Sequence, residues 1–258
     1  MQNNFIQNTL TELCKVRDMH NSTKGDSEYS NRLKYIIKVL GENNIYFQID
    51  HFEIYTEKYH NLIISFINEK NDNALILTAH YDIVNIESDN CLDNSSSITN
   101  LLYIAKKLNE LKNELNKNIY LIISAGEEVG GIGAQYISSK INNKIYGETT
   151  KVINLELTGF GNTIIIEDNK DYLDELIYEK LYKYFDVVKE RMPFSESFIY
   201  NLHDIPACTL SLGNKINNKI YLSHWRLCHS LDDKIDLANF EDMENFCDTL
   251  LILIMQLI

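Results

Sequence analysis

The chain is poor in residues that break structure and in residues that cross-link it. Only two prolines, Pro193 and Pro206, occur in 258 residues, so no proline-rich linker divides it. The five cysteines, Cys14, Cys91, Cys208, Cys228 and Cys247, are odd in number and include no Cys-x-x-Cys pair. A disulfide framework or a thiolate zinc site is therefore not expected, and reduced thiols of a cytosolic protein are. Positive charge is also scarce: 24 Lys and Arg stand against 37 Asp and Glu, a net charge of −13. Such a surface repels phosphate backbones, so no nucleic-acid partner is expected. The same acidity suits a solvated surface or a site that attracts cations. No apolar run approaches the roughly 18 residues of a membrane span, so no membrane partner is expected. Met1 to Leu13 lacks a basic segment followed by an apolar one, the pattern of a secretory signal. A cytoplasmic location follows as the expectation.

The hydrophobic share of 45% and charged share of 24% are ordinary for a globular enzyme. The length suits one large α/β domain, residues 1–258, and is short for two. Helices are expected over Asn3–Arg17 and Ser27–Leu40, with Asp26 as N-cap of the second and Gly41 as its stop. Ile45–Ile54 and Asn61–Asn68 read as strands that could form a hairpin. Beyond them the pattern alternates. Ala74–Ala79 and Ile119–Ile123 are short apolar runs typical of strands buried on both faces. Helices Ser96–Leu111 and Ile132–Lys140 follow them in turn, then strands Lys151–Leu157 and Thr163–Glu167. Helix Tyr172–Phe185, strand Ala207–Leu212 and helix Phe240–Leu257 close the chain. This order predicts a single-domain, three-layer α/β/α sandwich around a mixed, mainly parallel sheet. The stretch Gly213–Ile235 has little clear structure, and long irregular loops are often functional.

Ligands of open α/β sheets bind beyond the carboxyl ends of the strands, and the polar clusters of this sequence fall there. Ala74–Ala79 ends in His80-Tyr81-Asp82. Ile119–Ile123 runs into Ser124-Ala125-Gly126-Glu127-Glu128. Glu156 is embedded in an apolar strand, and Asp93-Asn94 precedes a helix. Taken singly, His80 reads as a structural residue, Asp93 as a helix cap and Glu127-Glu128 as a solvated pair. Together at one sheet edge they read as a metal site, because buried acids need partners. Zinc accepts imidazole and carboxylate ligands. Two histidines and three carboxylates can hold two ions if one carboxylate bridges. The irregular loop offers the second histidine, His229 or the nearby His224. Asp232 and Asp233 either orient His229 or are solvated. His203 and Asp204 read as a turn, and His20, His51 and His60 as surface or strand residues. Arg191 reads as a solvated helix end in preference to a contact with a substrate carbonyl. Trp225 lines a substrate pocket or simply packs.

The ordered set His-x-Asp, Asp-Asn, Glu-Glu, Glu and His resembles the M28 family of zinc metallo-aminopeptidases, the Aeromonas and Streptomyces aminopeptidase type. The likeness is strongest over Ala74–Gly159 and resumes at Ser195–Leu212 and Cys228–Ile235. It implies the zinc-peptidase fold and a two-zinc site, with one ion also possible. His80, Glu128, Glu156 and His229 would be terminal metal ligands and Asp93 the bridging carboxylate. Asp82 would orient His80, and Glu127 would be the general base. A cis peptide would join Asp93 to Asn94. The implied activity is hydrolysis of a peptide or aminoacyl substrate at its free N-terminus. Four departures stand out. Glu156 replaces the usual Asp, Ser97 a common Gly, Cys228 a Tyr found in some members, and Ser195-Glu196-Ser197 the usual Ser-Asp-His. The glutaminyl cyclases share the fold and a similar pattern, usually with one zinc, and remain an alternative. So do a hydrolase of another small amide and a non-catalytic module; the full ligand set argues against the last.

Overall fold

The computed structural model of the protein describes residues 5–18, 29–54, 56–68, 72–84, 86–167, 175–192, 194–216, 219–221 and 225–256. Its first elements are helices α1 (Phe5–Cys14) and α2 (Asn31–Glu42) and strands β1 (Gln48–Ile54), β2 (Glu57–Phe66) and β3 (Asn73–His80). Helix α3 (Ser96–Leu111), strand β4 (Asn118–Ser124), helix α4 (Ile132–Asn142) and strands β5 (Thr149–Leu155) and β6 (Thr163–Glu167) follow. The last are helix α5 (Glu175–Tyr182), strand β7 (Asp186–Lys189), helix α6 (Glu196–Leu202), strands β8 (Ala207–Ile216) and β9 (Lys219–Tyr221), and helix α7 (Phe240–Gln256).

The strands form one sheet in the order β1-β2-β4-β3-β5-β8-β6-β7, with β9 paired to β8. The central strands β4, β3, β5 and β8 are parallel. The β1–β2 hairpin and β6 add antiparallel neighbours. Successive strand residues point to opposite faces, and both faces are apolar at the centre. Leu75, Leu77, Leu121, Ile123 and Ile153 enter one core, shared with Leu10 of α1, Leu33 of α2, Leu101 of α3 and Phe246 of α7. Ile76, Tyr120, Ile122 and Val152 enter the other, shared with Ile137 of α4 and Tyr200 of α6. The expected three layers are thus present. Helix α3 buries Leu101, Ile104, Ala105 and Leu108 completely, a helical stripe of period 3.6. Each large aliphatic side chain so buried contributes about 1.5–3 kcal/mol.

Several boundaries differ from expectation. Helix α2 starts at Asn31, where the Ser30 hydroxyl accepts a hydrogen bond from the Leu33 amide at 3.1 Å; Asp26 and Ser27 lie outside the described residues. Gly41 is within the last turn rather than beyond it. Burial of Val39 and Leu40 beside it outweighs the roughly 1 kcal/mol that glycine costs a helix. Strand β2 starts earlier than predicted, at Glu57, because the hairpin register pairs Ile54 with Glu57. Strand β5 stops at Leu155, so Glu156 stands one residue past it, and the chain turns at Leu157 with φ 54°. Strand β8 runs beyond Leu212, since Gly213 pairs with Thr163 of β6. The four-residue β7 and the seven-residue α6 were not anticipated; each is too short to display a period. Asn3, Asn4, Tyr172 and Leu257 lie outside the described residues. Among the described residues no helix is long and apolar enough to cross a membrane.

One close approach ties the sheet to α4. The Asn61 carboxamide on β2 accepts from the Ala125 amide at 2.9 Å and donates to the Gly133 carbonyl at 3.3 Å. The Gly133 amide donates to the Ala125 carbonyl at 2.8 Å. A Cβ on Gly133 would stand 2.5 Å from that carbonyl oxygen and 2.7 Å from Asn61 Oδ1. Gly133→Ala should therefore push α4 from the end of β4 and cost about 1–3 kcal/mol. Denaturant unfolding of the two proteins would measure it; an unchanged midpoint would mean the turn has room to spare.

Candidate active site

The three strand ends β3, β4 and β5 point to the same sheet edge, and each delivers an acid or a histidine there. His80 is the last residue of β3. After β4, a turn closed by the Gly130 and Gly131 amides on the Glu127 carbonyl, both at 2.9 Å, presents Glu127 and Glu128. Glu156 follows β5, its amide bonded to the Leu210 carbonyl of β8 at 3.0 Å. The fourth acid, Asp93, comes from the kinked segment before α3, where the Asp93–Asn94 peptide is cis, as the family resemblance implied. His229 comes from the loop before α7, with its side chain about half exposed.

Asp93 stands at the middle. Its Oδ1 lies 3.2 Å from His80 Nε2 and its Oδ2 3.2 Å from His229 Nε2. His80 Nε2 is also 3.4 Å from Glu156 Oε1 and 4.0 Å from Glu127 Oε2, while His229 Nε2 is 2.9 Å from Glu128 Oε2. Three sets of side chains are spaced to hold a cation: His80–Asp93–Glu156, Asp93–Glu128–His229 and His80–Glu127–Glu128. The first two share Asp93. Glu156 Oε2 and Glu128 Oε1 are buried with no hydrogen-bond partner, as donors to a cation would be. A divalent cation fits this donor set.

The same crowding displaces the titrations. Burial, reinforced by the Asp93 charge, pushes the Glu128 carboxyl up to about 8. Burial also drives Glu127 well above the usual carboxylate range, and Glu156 in the same direction. Asp93 goes the other way: hydrogen bonds from His229 and His80 overcome its burial and hold it below that range. The hydrogen bond to Asp93 raises His229 to about 9. Burial would lower His80, but the charges of Glu156 and Glu127 outweigh it and hold the imidazole well above its ordinary value.

Behind these groups lies a layer that fixes them. Asp82 Oδ1 is 3.5 Å from His80 Nδ1, beyond an ordinary hydrogen bond. Its tighter contacts are with the amides of Glu127 and Glu128, at 3.2 and 3.0 Å. Asn94 donates to the Leu155 carbonyl at 3.0 Å and accepts from the Leu157 amide at 3.3 Å, so it grips the chain on both sides of Glu156. Asp233 is 1% exposed. Its carboxylate accepts from the amides of Leu92 and Asp93, at 2.7 and 3.1 Å. It is thus neither solvated nor aimed at His229: it anchors the Asp93 segment. Ser97 bonds Thr158 at 2.9 Å, a partner that the usual glycine would lack. His51 and His60 face one another across β1 and β2, with Nδ1 atoms 3.0 Å apart. His203 and Asp204 form the turn after α6, and Arg191 is exposed after β7 rather than at a helix end. His20 and His224 lie outside the described residues.

A cleft of about 490 Å³ opens over the acids, walled by Gly130, Phe194, Trp225 and Cys228. With the geometry in view, the profile of peptidase family M28 matches residues 61–251. The chain belongs to peptidase family M28. No curated protein sequence matches it closely. Among solved structures, this M28 chain superposes on the LapA aminopeptidase of Legionella pneumophila with a TM-score of 0.77 and 21% identity, over 98% of this chain and 71% of that one. The glutaminyl cyclase of Porphyromonas gingivalis gives 0.77 at 18% identity, over 99% and 98%. A Zn-dependent exopeptidase of Parabacteroides distasonis gives 0.72 at 17%, over 97% of each. At these identities the likeness establishes the fold.

One buried acid escaped the sequence reading of roles. Glu196, at the start of α6, is fully buried under β3 and β5. Its Oε2 accepts from the Thr78 hydroxyl at 3.0 Å. Asn154, with its amide nitrogen turned to Glu196, donates to the same oxygen at 3.3 Å. Thr78 and Asn154 each precede a site residue, His80 and Glu156, by two positions. Burial raises the Glu196 carboxyl to about 7, above the ordinary 4.5. Folding therefore takes up a proton here. The stability that this group contributes is complete below about pH 4.5 and is lost as pH rises to about 7. Glu196→Gln should stabilise the chelator-treated protein by about 1–3 kcal/mol at pH 8, with the gain vanishing near pH 4.5. Urea unfolding at both pH values tests this, and a gain independent of pH would contradict it.

Proposed function

We propose that this protein is a zinc-dependent aminopeptidase that removes N-terminal residues from peptides, with two ions held by His80, Asp93, Glu128, Glu156 and His229. One observation carries the reading. The two oxygens of Asp93 face different imidazoles, each at 3.2 Å, so that His80–Asp93–Glu156 and Asp93–Glu128–His229 form two cation-sized triads sharing Asp93. Zinc favours this mixture of imidazole and carboxylate donors. When bound, a zinc pair supplies an electrophile for the scissile carbonyl and lowers the pKa of water.

The chain's own residues supply the rest. Glu127 is 8% exposed and faces His80 at the floor of the cleft. Its carboxylate Oε2 takes the proton of the attacking water and returns it to the departing amine. Asp82 holds the Glu127 and Glu128 amides, which fixes the direction of both side chains. The acid-lined cleft attracts a substrate's α-ammonium group. Phe194 and Trp225 offer apolar walls to its first side chain. Cys228 stands where some M28 members carry Tyr. Its thiol, raised by burial, is a weaker hydrogen-bond donor than a phenol.

A second reading is supported by one observation: the glutaminyl cyclase is matched over 98% of its own length, as the exopeptidase is over 97%, whereas LapA is matched over 71%. Cyclisation of an N-terminal glutaminyl residue joins its α-amine to the side-chain carboxamide carbon and expels the carboxamide nitrogen as ammonia, with Glu127 carrying the proton from the attacking amine to the leaving nitrogen. Three substrates separate the readings: leucyl amide, its N-acetylated form and a glutaminyl peptide. The expected result is cleavage of the free leucyl amide alone, abolished by chelator. Glu127→Gln should lower kcat at least about 100-fold while retaining zinc. Ring closure of the glutaminyl peptide without hydrolysis of the leucyl amide would replace the proposal by the cyclase.

Zinc uptake should also release protons, because Glu127, Glu128 and Glu156 titrate high in the metal-free cluster. Calorimetry in buffers of different ionisation enthalpy would count them at pH 7. An uptake heat independent of buffer would mean that these acids are already ionised.

A further inference from the structure

Arg32 lies on α2, before the residues 61–251 that the family profile matches. It is 1% exposed, and an arginine is almost never so buried without strong partners. Its guanidinium makes four hydrogen bonds, all to neutral oxygens. Nε donates to the Tyr81 carbonyl at 2.7 Å. One terminal nitrogen, Nη1, donates to the Leu13 and Val16 carbonyls, at 3.2 and 3.0 Å. The other, Nη2, donates to the Ser95 hydroxyl at 2.9 Å. Burial lowers the group to about 10, so it stays cationic at neutral pH. Asp82 and Asp93 are among the charges that act on it.

The places of these oxygens give the arrangement its meaning. Tyr81 separates His80 from Asp82, and Asp82 in turn holds the amides of Glu127 and Glu128. Ser95 is two residues past Asp93. Leu13 lies in the last turn of α1 and Val16 two residues past its end, where carbonyls lack partners within the helix. A single planar fork therefore joins the His80–Asp82 segment to the Asp93 segment and fastens both to the N-terminal helices. An apolar side chain of similar volume would fill the space without desolvating a charge. What it could not do is bond in several fixed directions at once.

We infer that Arg32 is a positioning residue for the metal cluster, setting the separation of the His80 and Asp93 segments and hence the spacing of ligands to both ions. The inference rests on the two-cation reading given above. Cobalt(II) titration followed by visible absorption reports affinity and coordination geometry without any assay of turnover, and thermal unfolding in chelator reports stability separately. The wild type should take up two cobalt ions. Arg32→Met should bind cobalt at least about tenfold more weakly, with altered bands. Arg32→Lys, which keeps the charge but not the fork, should recover only part of the loss. Ser95→Ala removes one bond from the fork and should shift the bands with a smaller loss of affinity.

Lower melting temperatures with wild-type cobalt affinity and bands would overturn the inference, since a merely structural role predicts that pattern. Should the Arg32 variants fail to fold, Ser95→Ala decides: wild-type cobalt behaviour there also overturns it. A wild type that binds no cobalt would overturn the two-cation reading and this inference together. Two ions in the wild type with unchanged variants would overturn this inference alone.

Discussion

Five carboxyl groups, those of Asp82, Asp93, Glu127, Glu128 and Glu156, are brought together with two imidazoles at one edge of the sheet. Like charges at such distances repel strongly once water is removed. Burial, reinforced by neighbouring carboxylate charges, moves Glu127 and Glu128 upward, while hydrogen bonds from two imidazoles hold Asp93 below the usual carboxylate range. Much of the surrounding structure is arranged to keep these groups from moving apart. The restraints are largely backbone contacts: Asp82 on two amides, Asp233 on two amides, and Asn94 on both sides of Glu156.

The parallel core supplies the rigid frame for those restraints. β3, β4 and β5 are buried on both faces, so their ends cannot shift without disturbing two cores at once. The two candidate site residues that do not come from strand ends, Asp93 and His229, are linked to each other instead. His229 touches Asp93 Oδ2, and Asp233, four residues further on, holds the Asp93 amide. The half-exposed His229 side chain thus depends on the same segment that positions the buried His80.

The family's chemistry and this chain's departures from it meet in the cleft. Glu156 is a methylene longer than the usual Asp; it stands one residue past β5, just before the turn at Leu157, and its Oε1 lies 3.4 Å from His80 Nε2. Ser97, in place of a common Gly, finds Thr158 as a partner. Glu196, in place of Asp, fills a closed polar layer beneath β3 and β5. These substitutions are accommodated beneath or beside the cluster, whose acids and imidazoles face the cleft.

Periodicity and chain order were enough to determine the layered fold, because strands buried on both faces leave long apolar runs and helices leave a 3.6 spacing. They also brought His80, Glu127, Glu128 and Glu156 together, because polar residues at the ends of apolar strands collect at one sheet edge, whereas Asp93 was read from its place before a helix and His229 from the family resemblance. Elements too short to show a period, β7 and α6, were illegible, as was the helix start at Ser30. Only the tertiary structure decided which acids stand against which imidazole, that Asp233 holds the Asp93 segment, and that Arg32 reaches Tyr81 and Ser95 from a distant helix. The Arg32–Tyr81 and Asp233–Asp93 contacts span 49 and 140 positions. They depend on how helices and loops close over the sheet, and local sequence pattern carries no record of that closure.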